Sequence, residues 1–99
     1  MTLNEVIAKI NSFDTVENLV AYLVEKNYKG VQYAPTKCPL AKMIWKETIE
    51  YYDFHVQKTE VLFRPPMEVT RVPFILSEVA CEFNERFDNG EYPEITLDH

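Results

Sequence analysis

Glycine is scarce in this chain: Gly30 and Gly90 are the two among 99 residues. Phosphate-cradling loops and dinucleotide fingerprints set several glycines close together, so both are excluded. Cysteine is as sparse, with Cys38 and Cys81 and no C-x-x-C pair. That removes the disulfide framework of small secreted domains and the usual zinc spacings. The two histidines are His55 and His99, and no Asp-x-Asp-x-Asp-Gly calcium loop interrupts the acids. No metal and no cofactor is expected. No purely apolar run approaches the roughly 20 residues of a membrane helix. Met1–Glu5 lacks the basic and apolar regions of a signal peptide. A reduced, cytoplasmic setting without membrane contact is the expectation.

What is present is ordinary globular material: 46% hydrophobic and 26% charged residues. One domain over residues 1–99 is expected, with a single small core. Ten basic and sixteen acidic residues leave a net charge of −6. The charge is segregated. Residues 26–46 carry Lys26, Lys29, Lys37, Lys42 and Lys46 and no acid, whereas residues 47–99 hold four bases against twelve acids. An acidic chain repels a phosphate backbone at long range, which disfavours general nucleic-acid binding. The lysine segment leaves a local exception.

Apolar spacing predicts an α+β fold. Thr2-Leu3-Asn4-Glu5 reads as a capping box before a helix whose stripe is Leu3, Val6, Ile7 and Ile10. Asp14 reads as the cap of a second helix, striped by Val16, Leu19, Val20 and Leu23 and ending near Asn27. Gly30 follows, where a turn or left-handed residue is easiest for glycine. Val31–Tyr33 reads as a short extended piece. Cys38-Pro39 opens a third helix, with Leu40, Met43 and Ile44 on one face, that ends near Glu47. Tyr52, Phe54 and Val56 then alternate with polar residues, and Val61 and Phe63 share a face of the next segment. The two read as an antiparallel hairpin turning at Gln57–Thr59. A third helix continued through residues 48–52 is the alternative. Met67–Arg71 offers a third strand or an irregular edge. Pro73 is expected to open the last helix, with Leu76, Val79, Ala80, Phe83 and Phe87 inward and Asn89-Gly90 as its stop. Tyr92, Ile95 and Leu97 should fold back on the domain.

Two patterns in this frame form a pair: Gly30-x7-Cys38-Pro39-Leu40-Ala41-Lys42, and Phe83-x3-Phe87-Asp88-x-Gly90-x-Tyr92-Pro93. Together they resemble a group of small proteins of phages and high-GC bacteria. Members show a G-x7-C-P-[LIV]-A-[RK] stretch before a sheet and close with F-x3-F-D-x-G-x-Y-P. The resemblance implies a shared fold and a phage setting, and brings no activity with it. This chain has fewer glycines and arginines before the cysteine and a longer segment between the second strand and the last helix.

Candidate sites come from residue chemistry. A Cys38 thiol at a helix N-terminus meets free N–H groups and the positive dipole end, with Lys37 and Lys42 nearby, all favouring thiolate. It is the reactive-thiol candidate; the competing reading is a small residue packed at the helix start. A nucleophile also needs a base and an orienting group. His55 with Asp53 is the available pairing, and both fall on the polar face of the hairpin. No catalytic residue is therefore assigned. Glu78, Glu82 and Glu85 form an acidic row at i, i+4, i+7, suited to a basic partner or to the ordinary outer face of a helix. Tyr28 and Tyr33 with Lys37, and Arg64 before Pro65-Pro66, mark further partner surfaces, since aromatics concentrate at interfaces. The edge of the first hairpin strand is a further pairing site.

The reading these features favour is a non-enzymatic protein-interaction module. With the phage resemblance, its concrete form is an inhibitor or regulator of a host defence or nucleic-acid enzyme. A small thiol-dependent enzyme using Cys38, and a local nucleic-acid binder using the lysines of 26–46, are the alternatives.

Overall fold

The computed structural model describes residues 1–48, 53–64 and 72–97. Along them run α1 (Leu3–Ile10), α2 (Val16–Glu25), α3 (Pro39–Glu47), β1 (Asp53–Val56), β2 (Glu60–Arg64), β3 (Val72–Ile75) and α4 (Glu78–Asp88), followed by a 3-10 turn at Pro93–Ile95. The fold is α+β, in the helix–sheet–helix order that the spacing predicts. No helix among the described residues is long and apolar enough to cross a membrane.

The helix ends show how local chemistry sets the boundaries. Thr2 Oγ1 accepts the Glu5 N–H, and Glu5 returns a carboxylate oxygen to the Thr2 N–H at 2.9 Å, completing the capping box. At α2 the cap is Thr15, not Asp14. Its extended backbone lies directly before the first helical residue, and its hydroxyl accepts the Asn18 N–H at 3.1 Å. The exit of α2 also differs from expectation. Asn27 takes the left-handed conformation at φ 59°, and the Tyr28 N–H reaches back to the Leu23 carbonyl at 2.9 Å. Asparagine thus supplies the left-handed residue expected at Gly30, which frees the glycine for another role. Val31–Tyr33 forms no strand; Tyr33 turns the chain at φ 57°.

The largest departure is at Pro73, which lies inside β3 and does not open α4. Ser77 caps α4 instead, accepting the Ala80 N–H at 3.2 Å. Proline fits both contexts because each leaves its nitrogen without a hydrogen-bond partner. The Met67–Arg71 strand lies outside the described residues, as do the Tyr51 and Tyr52 positions of the helix-continuation alternative.

The sheet order is β1-β2-β3, antiparallel throughout. Phe54, Val56, Val61, Phe63 and Phe74 share its inner face, where Val56 and Val61 are buried against the helices. α2 packs on α4, α1 on α3, and α3 against β1. The core is built from the expected stripes: Leu3, Val6, Ile7 and Ile10 meet Leu19, Leu23, Leu40, Met43, Ile44, Phe83 and Phe87, while Val20 and Val79 are only partly buried against it. Ile95 joins them, and Tyr92 stacks on Phe83 at 5.5 Å between ring centroids. Leu97 stays half exposed.

Both sheet edges carry a guard. An edge strand presents unpaired backbone groups that attract other strands. Pro73 lacks an N–H on β3. Beside it, the Asn11 side chain donates to the Ile75 carbonyl at 2.9 Å and accepts the Ser77 N–H at 2.8 Å. One side-chain amide thereby makes the two bonds a neighbouring strand would make. On β1 the Val56 N–H goes to the Pro35 carbonyl at 2.9 Å.

Candidate binding groove

Gly30 organises one end of the molecule. Its N–H donates to the Ile95 carbonyl at 2.9 Å, and its carbonyl accepts the Leu97 N–H at 2.7 Å. The C-terminal segment is thereby laid along residues 29–31. On its other side Gly30 crosses the start of α3 so closely that a β-carbon would sit 2.4 Å from Cys38 C and Pro39 N. The spacing Gly30-x7-Cys38-Pro39 is a packing pair: two backbones touch where any side chain would keep them apart.

This crossing builds a groove of about 370 Å³ on the outer surface, lined by Lys29 and Val31, Thr36 and Lys37, Ala41, Lys42 and Trp45 of α3, Phe54 of β1, and Leu97. Its floor is largely apolar. Trp45 is 51% exposed. Three of the five lysines of the acid-free segment stand on its rim. Lys26 instead lies over the Tyr22 ring, 5.8 Å from its centroid. Charge segregation along the chain thus becomes a basic border around an apolar trough. The lysines are visible in sequence; Trp45, Phe54 and Leu97 come from three different elements of the chain, and nothing in their local patterns joins them.

Cys38 has a different environment from the one a helix end suggests. It is 8% exposed, and its Sγ accepts the Ala41 N–H at 3.4 Å. Burial pushes the thiol up to about 11, and the donated N–H only partly offsets that. A helix end by itself would lower the value; desolvation reverses it because burial disfavours the thiolate more than the N–H groups at the helix start favour it. Cys38 lines a separate cavity of about 200 Å³ with Tyr33, Val56, Asn84, Phe87 and Asp88. Val56 faces that cavity, so strand alternation turns His55 to the opposite side of the sheet. No thiol–imidazole pair forms. A thiol held at about 11 in place of 9.0 carries about a hundredfold less thiolate at neutral pH. Iodoacetamide should therefore label folded Cys38 at least that much more slowly than the unfolded chain, followed site by site with mass spectrometry; equal rates would refute this account.

The remaining candidate residues separate into different surfaces. Glu85 pairs with Lys58 at 3.5 Å and Glu82 with Arg86 at 3.1 Å. Glu78 and Glu82 meet Asp14 and Glu17 of the α2 entrance around a shallow depression. Lys37 reaches the groove. Tyr33 does not: it is 74% exposed over the Cys38 cavity, and its N–H is held by Asp88 at 2.9 Å. Arg64 is exposed at the end of β2, outside the groove lining; Pro65-Pro66 lies outside the described residues. Tyr28 is half-buried, and its hydroxyl is tied into the fold.

That tie is a cluster with no signature in the sequence. The Glu47 carboxylate at the end of α3, 11% exposed, accepts Lys9 Nζ at 2.8 Å and the hydroxyls of Tyr22 and of Tyr28, the latter at 2.9 Å. Lys9 also donates to the Tyr22 hydroxyl and stands 4.5 Å over its ring. Burial alone would raise the Glu47 pKa, but the donated bonds outweigh it and hold the carboxyl below its ordinary value. Burial and the Glu47 acceptor push Tyr28 up to about 12 and raise Tyr22 as well. The Glu47 and Tyr22 bonds raise Lys9. Every member is partnered, so the cluster fastens α1, α2 and α3 together.

No known protein family, curated protein or solved structure matches the chain.

Proposed function

We propose that this protein is a non-enzymatic interaction module that holds an acidic, apolar-anchored segment of another protein in the groove of α3, β1 and Leu97. The observation that carries this reading is the convergence of Lys29, Lys37 and Lys42 on a trough lined by Val31, Ala41, Trp45, Phe54 and Leu97. Apolar lining supplies affinity, and a charged rim supplies orientation and faster encounter. A nucleic acid fits less well: beyond the rim the chain is acidic, and a polyanion of any length would meet that field. The enclosed, neutral Cys38, with His55 on the opposite side of the sheet, supports a non-enzymatic role. An inhibitor or regulator of a host defence or nucleic-acid enzyme, the reading that the phage resemblance favours, is one protein of this kind.

A second reading has its own observation. Asp14 and Glu17 join Glu78 and Glu82 across α2 and α4, so the acidic row becomes a two-helix face, which fits a basic partner.

The test is a fluorescence-anisotropy series with labelled ten-residue peptides: acidic with one central Leu, Phe or Trp, acidic without the apolar residue, basic, and oligo(dT). The acidic peptides with an apolar centre should bind, more weakly as salt is raised. Lys37→Glu with Lys42→Glu, or Trp45→Ala, should each weaken them by about tenfold or more, equivalent to about 1.4 kcal/mol. Retention of oligo(dT) in their place would replace this reading with the nucleic-acid one. Binding of the basic peptide alone would move the site to the Glu78 face.

A further inference from the structure

The bonding parity of the sheet says how such a segment would lie. In an antiparallel pair, residues alternate between those that exchange bonds with the partner strand and those whose N–H and C=O point away from it. The Gln57 N–H donates to the Glu60 carbonyl at 2.7 Å, which places 57/60 in the bonded set. With the register His55↔Leu62 and Asp53↔Arg64, those pairs are bonded too. Phe54 and Val56 therefore direct their backbone groups outward from β1. The outward Val56 N–H bonded to the Pro35 carbonyl agrees with this assignment. No described residue takes the backbone groups of Phe54, and Phe54 lines the groove. The opposite edge of the sheet is a poor template, with Pro73 in β3 and Asn11 occupying the Ile75 and Ser77 groups.

We infer that the groove's occupant binds as an added strand on β1, its backbone pairing with the N–H and C=O of Phe54 where the Pro35 contact leaves off. This rests on the acidic-segment reading above and states its geometry. An extended segment alternates its side chains. One set enters the trough beside Trp45 and Leu97, where its carboxylates meet Lys29, Lys37 and Lys42, and the other turns to the face that His55 takes. Charge complementarity selects the acidic peptide over a second copy of this chain, whose net charge of −6 opposes self-association.

The experiment takes the tightest acidic peptide of the series and methylates its backbone nitrogens one at a time, with side chains and charge unchanged. Strand addition predicts one sensitive position: methylation of the peptide nitrogen that meets the Phe54 carbonyl weakens binding about tenfold or more, and methylation of the nitrogens on either side hardly at all. Amide hydrogen exchange by NMR should show the Phe54 N–H slowed on binding. A binder indifferent to methylation, or weakened alike at neighbouring nitrogens, with Phe54 exchange unchanged, would overturn strand addition. If that same binder still depended on Lys37 and Trp45, the groove reading would survive. Absence of binding by every acidic peptide would overturn both.

Discussion

Gly30→Ala should lower the melting temperature by about 12–24 °C, corresponding to a loss of about 3 kcal/mol for a domain of this size. The added methyl group would sit 2.4 Å from two backbone atoms and 2.5 Å from the Lys37 carbonyl oxygen. Backbone cannot rotate aside as a side chain can, so relief requires parting the 29–31 segment from the start of α3. That movement would strain the bonds to Ile95 and Leu97 and disturb the Cys38 cap of α3 together. Such a loss takes a large share of the about 5–15 kcal/mol that holds a domain folded. Gly90→Ala is the internal comparison. Gly90 has φ 82°, with its nearest neighbour at 3.4 Å, so its variant meets conformational strain of about 1–2 kcal/mol and little steric obstruction. Thermal unfolding by circular dichroism ranks the two. A Gly30→Ala melt within 3 °C of the parent, or a costlier Gly90→Ala, would contradict the close crossing. Because the crossing also places Lys29, Val31, Lys37 and Leu97, a folded Gly30→Ala variant should lose peptide binding as well.

Glu47→Ala should destabilise the protein by about 2–3 kcal/mol at neutral pH, because it leaves an ammonium and two partly enclosed hydroxyls without their shared acceptor. The pH dependence has a definite sign. The folded Glu47 pKa lies below its ordinary value of 4.5, so its contribution is complete above that value. It disappears as pH falls through the folded pKa. At the alkaline end the direction reverses. Folded Tyr28 holds its proton to about 12, against 10.0 ordinarily, and Lys9 is raised as well. Their contribution is complete below about pH 10 and drains away as the unfolded chain gives up those protons first. Urea midpoints from pH 3 to 11 should therefore fall at both ends for the parent. The variant should lose part of the acid slope and part of the alkaline one, since the raised values of Tyr28 and Lys9 both draw on Glu47. Parallel curves would show that Glu47 is not their common acceptor.

These two sites also mark how far local pattern reaches. The periodic stripes of α1 to α4 and the Phe54/Val56 alternation were legible because helix and strand periods depend on neighbours within a few residues. Caps were nearly as legible, with Thr15 displacing Asp14 by one position. Pro73 misled because its missing N–H suits an edge strand as well as a first helical turn, and which of the two forms depends on β2 lying alongside. Cys38 misled because a helix end acts locally, whereas the burial that desolvates the sulfur is made by the whole fold.

The chain's own composition and periodicity determined the α+β class, the core stripes, the acid-free lysine segment and the absence of spacing suited to a metal or phosphate loop. Only the folded arrangement decided that Gly30 lies against Cys38 and Pro39, that Glu47 collects Lys9, Tyr22 and Tyr28, and that Lys37, Lys42, Trp45, Phe54 and Leu97 border one trough. The division follows from range. Backbone preference and amphipathic spacing act over a few residues along the chain, while a groove or a buried carboxylate is made by segments tens of residues apart, whose meeting is set by packing.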